Sequence, residues 1–194
     1  MSSQLSARDR LLDAAEDLAF TQGVAATPVD VILKQANVAP ATLYSHFGNK
    51  EGLIVQALQR RLGRWDESWQ LAMNEASTPR ERLMAFLPGL QSYRKSVTPA
   101  RWCPFLGVAA ESPHPGDGLQ EALASDTHLL RTRLRELAIA VVGPDSAADL
   151  AEQLLLVHTG VLGMILRGVA TKDAVALGMK TSQQAIDAAL NQPE

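Results

Sequence analysis

The sequence predicts an all-α protein. Apolar residues recur at helical spacing along nearly the whole chain, and capping and stop residues bracket those runs. No stretch of any length alternates polar and apolar residues as a half-buried strand would, and there is no repeat or low-complexity tract. With 194 residues, 46 % hydrophobic and 20 % charged, the chain suits a packed fold with room for a small domain and a larger one.

The first helix follows from Leu11, Leu12, Ala15, Leu18 and Ala19 on one face, with Ser6 as cap and Asp9 three residues on. Gly23 ends it in a left-handed turn. The next start reads as Thr27 at the N-cap, Pro28 at the first helical position and Asp30 behind them, with Val29, Ile32, Leu33 and Ala36 facing inward. Asn37 tolerates a left-handed turn, and Pro40 suits the first turn of a third helix. Asn49 caps a long fourth helix, from Lys50 to about Ala76, with Ile54, Leu58, Leu62, Trp65, Trp69 and Met73 in register. Beyond Pro79 the expected helices are 79–96, kinked at Pro88-Gly89, then 103–111, 119–142, 145–169 and 172–191. The segment 111–118, "ESPHPGDG", is a loop.

Two short helices around a tight turn form a helix-turn-helix, whose second helix can enter a DNA major groove. The side chains strengthen that reading. On 38–47 only Val38, Leu43 and Phe47 look buried, while Thr42, Tyr44, Ser45 and His46 supply hydroxyl and N–H groups of the kind that meet phosphate. Lys50 stands at a helix N-terminus, against the macrodipole, so a phosphate is expected beside it. The net charge of −3 is unhelpful to DNA binding. Its distribution is less so, with 7 Lys/Arg against 6 Asp/Glu from Met1 to Arg64 and 11 against 15 thereafter.

Residues 8–58 resemble the DNA-binding domain of the TetR family of transcriptional regulators. The likeness rests on Arg8, "LLDAA" at 11–15, Leu18, Phe20, Gly23, Thr27, Ile32, Ala36, Val38 and "TLYSHFGNKEGL" at 42–53. It implies a three-helix helix-turn-helix DNA-binding domain over 1–52 and a helical effector-binding and dimerisation domain over 53–194. It also implies a cytoplasmic homodimer that binds a palindromic operator as a repressor and responds to a small molecule. By the same resemblance, Thr27, Tyr44, His46 and Lys50 meet the DNA backbone, and Pro40, Ala41, Thr42 and Ser45 face bases. Asn37 replaces the family's usual turn glycine, Asp30 sits where a basic or neutral residue is frequent, and Leu33 replaces a small alanine. Arg60, Arg61 and Arg64 read as a solvated face.

Further along, "WCPFLGVAAE" at 102–111 resembles a segment of one subgroup of that family. Trp65, Trp69, Phe86, Tyr93, Trp102, Phe105, His128 and His158 are the large or polar-tipped side chains that could line a site for an apolar or aromatic effector. On 145–169, Leu154, Leu155, Leu156, Val161, Leu162 and Leu166 point all round, and Gly160 and Gly163 permit close approach. A helix apolar on every side must be covered on every side, which predicts a dimer interface at Leu155, Val161, Leu162, Gly163 and Leu166 with 172–191 beside it.

Other classes fare worse. The four histidines, His46, His114, His128 and His158, have no metal spacing, and no phosphate loop or nucleophile motif is present, so neither enzyme activity, metal nor cofactor is expected. Arg8, Asp9, Arg10 and Asp13 stand where a secretory signal needs an apolar run, and the apolar segment Leu154 to Leu166 is only 13 residues long, so no membrane partner is expected. A single cysteine fits a reducing compartment. A redox-sensing regulator using Cys103 beside Pro104 is the alternative reading.

Overall fold

The computed structural model describes residues 5–97 and 100–191. Among them are nine helices and no strand: α1 Ala7–Gln22, α2 Val29–Ala36, α3 Pro40–Phe47, α4 Lys50–Asn74, α5 Pro79–Met84, α6 Phe86–Ser96, α7 Pro104–Glu111, α8 Asp117–Leu166 and α9 Thr171–Leu190. The chain divides into two compact units, one of residues 1–63 with 98–125 and one of 64–97 with 126–194.

In the first unit, Leu11, Leu12 and Ala15 of α1 are buried with Ile32 and Ala36 of α2, Leu43 and Phe47 of α3, and Leu53, Ile54 and Leu58 of α4. Ser6 caps α1 as its position suggests, accepting from the Asp9 amide at 3.1 Å. Arg60 and Arg61 overturn the expectation of a solvated face. Glu16 of α1 is 2 % exposed and Arg61 of α4 1 %; their ion pair closes at 2.5 Å while Arg60 Nε reaches the other Glu16 oxygen at 2.6 Å and Asp13 lies 2.7 Å from Arg60 Nη2. A charge this deep needs its partner, so the pair fixes α1 against α4.

In the second unit, Trp69, Leu83, Phe86, Leu87, Leu134, Leu154 and Ile186 are fully buried or nearly so. Gly89 is there because a Cβ would fall 3.0 Å from the Trp69 Cα, so α6 can lie directly on the α4 backbone. Ser68 Oγ donates to the Gly89 carbonyl at 2.9 Å and holds that approach. The expected kink at Pro88-Gly89 falls earlier. Ala85 keeps right-handed helical dihedrals (φ −61°, ψ −17°), but its amide bonds three residues back, to the Arg82 carbonyl at 3.3 Å, and it separates α5 from α6. Pro88 has no N–H to give the Met84 carbonyl four residues back, so the helix yields at that carbonyl rather than at the proline.

The expected pair 119–142 and 145–169 is one run, α8, broken at Gly143 (φ 80°, ψ 169°) ahead of Pro144. By length and composition α8 is apolar enough to cross a membrane, with mean hydropathy 1.3 over its most apolar 18 residues, of which 33 % are buried. Its inner face accounts for the buried part: Ala147, Leu150, Ala151, Leu154, His158, Val161 and Leu162 recur at three- and four-residue steps and are all buried in the unit's own core.

Candidate nucleic-acid interface and ring cluster

The turn that aims α3 is built from its own sequence. Asn37 adopts the left-handed conformation (φ 52°, ψ 56°), and the Val38 amide donates to the Leu33 carbonyl at 3.2 Å. The guanidinium of Arg10 then holds the corner, donating to the Ala36 carbonyl at 3.0 Å, the Asn37 carbonyl at 3.5 Å and the Leu5 carbonyl at 3.0 Å. From Pro40 onward, α3 turns Leu43 and Phe47 inward and leaves Pro40, Ala41, Ser45 and His46 exposed with Thr42 half-buried. Tyr44 is 58 % exposed, which removes it from the core. Ser45 Oγ donates to the Thr42 carbonyl at 3.0 Å and keeps its lone pairs outward. Asn49 caps α4, its Oδ1 accepting from the Gly52 amide at 2.8 Å.

Two expected backbone contacts are placed differently. Thr27 is not the N-cap of α2; Pro28 is, and the Thr27 hydroxyl instead donates to the Gly23 carbonyl at 2.7 Å from a side chain only 1 % exposed. In this arrangement Thr27 closes the α1–α2 loop from inside and has no face to offer a phosphate. Lys50 is half-buried, and its Nζ donates to the Val24 carbonyl at 2.5 Å. Burial holds the Lys50 pKa below the usual lysine range, with the Glu111 carboxylate pulling it back up. Glu111 Oε2 also accepts the Ala25 amide at 2.8 Å. The negative partner expected for Lys50 is thus supplied within the chain.

Gly23 belongs to the same corner. Its φ of 104° with ψ 146° is positive but not the left-handed helical turn expected, and a Cβ there would fall 2.8 Å from Glu111 Oε1. Glu111 is the residue the sequence reading missed. It ends an apolar helix, 86 residues from the amide it accepts, and no local pattern announces it.

In the second unit five of the expected effector residues come together. Trp65 and Trp69 stack at 5.4 Å, Tyr93 meets Trp65 edge-on at 5.9 Å, and His158 lies 5.5 Å from Trp65 and 5.9 Å from Phe86, which is itself 6.4 Å from Trp69. Burial lowers the His158 pKa from 6.5 to about 4, so the ring is neutral near pH 7. Arg133 lies 4.8 Å from the centroid of the Trp69 ring, and its Nη1 pairs with Asp66 at 2.5 Å.

Three expected members are elsewhere. His128 is exposed on α8, and Trp102 and Phe105 belong to the first unit, where Trp102 lines a cavity of about 60 Å³ with Phe20 and Cys103. Cys103 is itself buried there, which works against oxidation of its thiol by a solvent oxidant. A wider cleft of about 630 Å³ lies in the second unit between the end of α4, the α5–α6 corner and α9, lined among others by Ala72, Met84, Ala85, Pro88 and Met179. No group of three or more metal-ligating side chains occurs among the described residues.

The expected dimer residues also divide. Val161 and Leu162 are each 4 % exposed and belong to the core, Leu155 and Gly163 are half-buried, and Leu166 is exposed. The outward apolar side chain is Leu156, 72 % exposed, and Cβ atoms added at Gly160 and Gly163 would meet nothing within 4 Å. The all-round apolar pattern on 145–169 therefore has a satisfied inner face and an uncovered outer one.

Residues 11–57 match the family model described as bacterial regulatory proteins, tetR family. Among curated proteins, the transcriptional regulator BetI of Rhizobium meliloti is 31 % identical over 149 residues, 75 % of this chain and 70 % of its own length. The repressor KstR of Mycolicibacterium smegmatis is 36 % identical over 81 residues, 42 % of this chain and 40 % of its length. Among solved structures, a regulator from Streptomyces coelicolor superposes with a TM-score of 0.85 at 21 % identity, over 95 % of this chain and 96 % of that one. One from Chloroflexus aurantiacus gives 0.78 at 20 % identity, over 93 % and 94 %. At such identities the likeness is one of fold.

Proposed function

The chain belongs to the TetR family of bacterial regulatory proteins and is a DNA-binding transcriptional regulator; from that premise we propose that it is a repressor released from a palindromic operator by a small effector. The observation that carries the DNA-facing part is α3 itself. Its inner residues Leu43 and Phe47 are buried while Tyr44, Ser45, His46 and Ala41 stand exposed on a helix whose entry turn is pinned by Arg10. With no Lys or Arg between 38 and 47, base readout rests on the Thr42 and Ser45 hydroxyls and on apolar contact from Ala41 and Pro40, including thymine methyls. Tyr44 and His46 donate to phosphates. Residues 1–52 supply these groups, and 53–194 supply effector binding and dimerisation.

The dimer forms through the outer face of 144–166, centred on Leu156, Gly160 and Gly163, with α9 beside it. Two α3 helices so joined meet successive major grooves about 34–36 Å apart, as a palindromic operator in the bacterial cytoplasm requires. The effector is bound at the ring cluster of Trp65, Trp69, Phe86, Tyr93 and His158. α4 is one helix of 25 residues, ~37 Å long, that begins at Lys50 and carries Trp65 and Trp69 in its second half. A ligand that displaces those rings tilts α4 and changes the spacing of the two α3 helices.

Such a ligand must favour the released spacing, and by linkage operator DNA must weaken its binding by the factor that it weakens DNA binding. Tryptophan fluorescence titrations of the effector with and without saturating operator test this. Equal effector affinity in both would rule out induction by this route.

A further inference from the structure

We propose that the effector is a neutral, largely apolar molecule, aromatic where it meets the rings, whose hydroxyl group sits between the Trp69 indole N–H and Nδ1 of His158. The inference rests on the regulator reading above and names the ligand class of the ring cluster. Its starting point is that Trp69 Nε1 and His158 Nδ1 are buried and have no hydrogen-bond partner among the described residues. Trp69 is 0 % exposed and His158 5 %, so bulk water does not serve them. Orphaned polar atoms this deep are rare in native proteins and mark a partner that is absent.

The two orphans belong to one place, since both rings pack against Trp65, at 5.4 and 5.5 Å, and against Phe86, at 6.4 and 5.9 Å. Their chemistry is complementary. An indole N–H only donates, whereas neutral imidazole with its proton on Nε2 accepts at Nδ1. A hydroxyl answers both at once, accepting from Trp69 and donating to His158.

The surrounding charges define what is kept out. The Arg133 guanidinium already occupies a face of Trp69 at 4.8 Å, so a ligand cation seeking that ring meets a like charge. Arg133 is in turn neutralised by Asp66 at 2.5 Å, so it brings no net charge to hold a carboxylate against its desolvation cost. The same unit holds a cleft of about 630 Å³, a volume in the range of small-molecule sites, lined by Met84, Ala85 and Pro88 beside the buried Phe86 in sequence.

The test uses the full-length protein labelled with nitrogen-15, in which three tryptophans give three indole signals and Trp69→Phe identifies one of them. Phenol, toluene, benzoate and benzyltrimethylammonium are titrated at pH 7. Phenol should move the Trp69 indole signal and bind about tenfold more tightly than toluene, because only phenol pairs the orphaned atoms. His158→Phe should erase that advantage, and His158→Gln, which retains a donor and acceptor, should restore most of it. A Trp69 signal indifferent to phenol, equal binding of toluene, or tighter binding of either charged probe would overturn the assignment. Operator binding by the unliganded protein is measured in parallel. If it is present while phenol fails, the ligand class falls and the regulator stands; if it is missing, the regulator reading falls whatever the probes do.

Discussion

His158 should make the stability of the second unit depend on acid in a way that a single substitution can isolate. Burial lowers its pKa from 6.5 to about 4 in the folded protein. The unfolded chain therefore takes up the proton first as the pH falls. Stability from this residue is complete above pH 6.5, declines below it and levels off near pH 4. At about 1.4 kcal/mol for each pH unit, the loss comes to about 3 kcal/mol.

Asp126 acts in the opposite sense, because burial raises its carboxyl from 3.8 to about 6. The folded state holds that proton more tightly, so the Asp126 contribution is lost as the pH rises from 3.8 to 6. Between pH 4 and 6 the two groups offset one another, and the wild type should show little of either. Urea unfolding of wild type, His158→Phe and Asp126→Asn at pH 4, 5, 6 and 7 separates them. The difference between wild type and His158→Phe should change by about 3 kcal/mol between pH 7 and pH 4, in favour of the variant in acid, and Asp126→Asn should be steeper than wild type over the same range. A wild-type-to-variant difference that stays constant with pH would refute a buried neutral histidine.

Glu16→Gln removes the carboxylate that pairs with the buried Arg61 at 2.5 Å, and should cost about 3–5 kcal/mol in urea unfolding. A cost below about 1 kcal/mol would mean the pair is hydrated. Leu156→Arg should give a folded monomer in sedimentation equilibrium with unchanged helical circular dichroism, because Leu156 is 72 % exposed in the protomer; an intact dimer would move the interface elsewhere. Gly23→Ala forces a side chain into φ 104° and against the Glu111 carboxylate, and should lower stability by about 1–3 kcal/mol. Its thermal midpoint should fall well below that of Gly63→Ala, where φ is negative and a Cβ meets nothing within 4 Å.

What the sequence made legible was whatever depends on neighbours along the chain. Asn37 in the left-handed turn, Pro40 opening α3 and Asn49 capping α4 are all local choices, and they stand where the spacing puts them. The cap of α2 moved by one residue because the Thr27 hydroxyl was taken by Gly23, a competition between two equally local bonds. The bend near Pro88 moved because a proline harms the carbonyl four residues behind it.

Interactions across long separations were not legible. The Arg61–Glu16 pair spans 45 residues and the Ala25–Glu111 bond 86, and each charged residue considered by itself looks like ordinary surface. For the same reason the aromatic inventory identified the members of the ring cluster but also admitted His128, Trp102 and Phe105, whose helices carry them elsewhere. An apolar pattern around 145–169 told that both faces need cover, but not which of Leu156 and Leu162 faces out.

The central claim is that α3 reads a two-fold symmetric DNA site, and selection of binding sites from random duplexes followed by footprinting tests it most directly. The wild type should enrich an inverted repeat with half-sites centred one helical turn apart and protect both halves together. Tyr44→Phe, which removes one exposed hydroxyl, should bind every selected site about tenfold more weakly, whereas Thr42→Ala should shift the preferred bases. Failure to enrich any symmetric sequence, or enrichment that neither Tyr44→Phe nor Thr42→Ala alters, would contradict it.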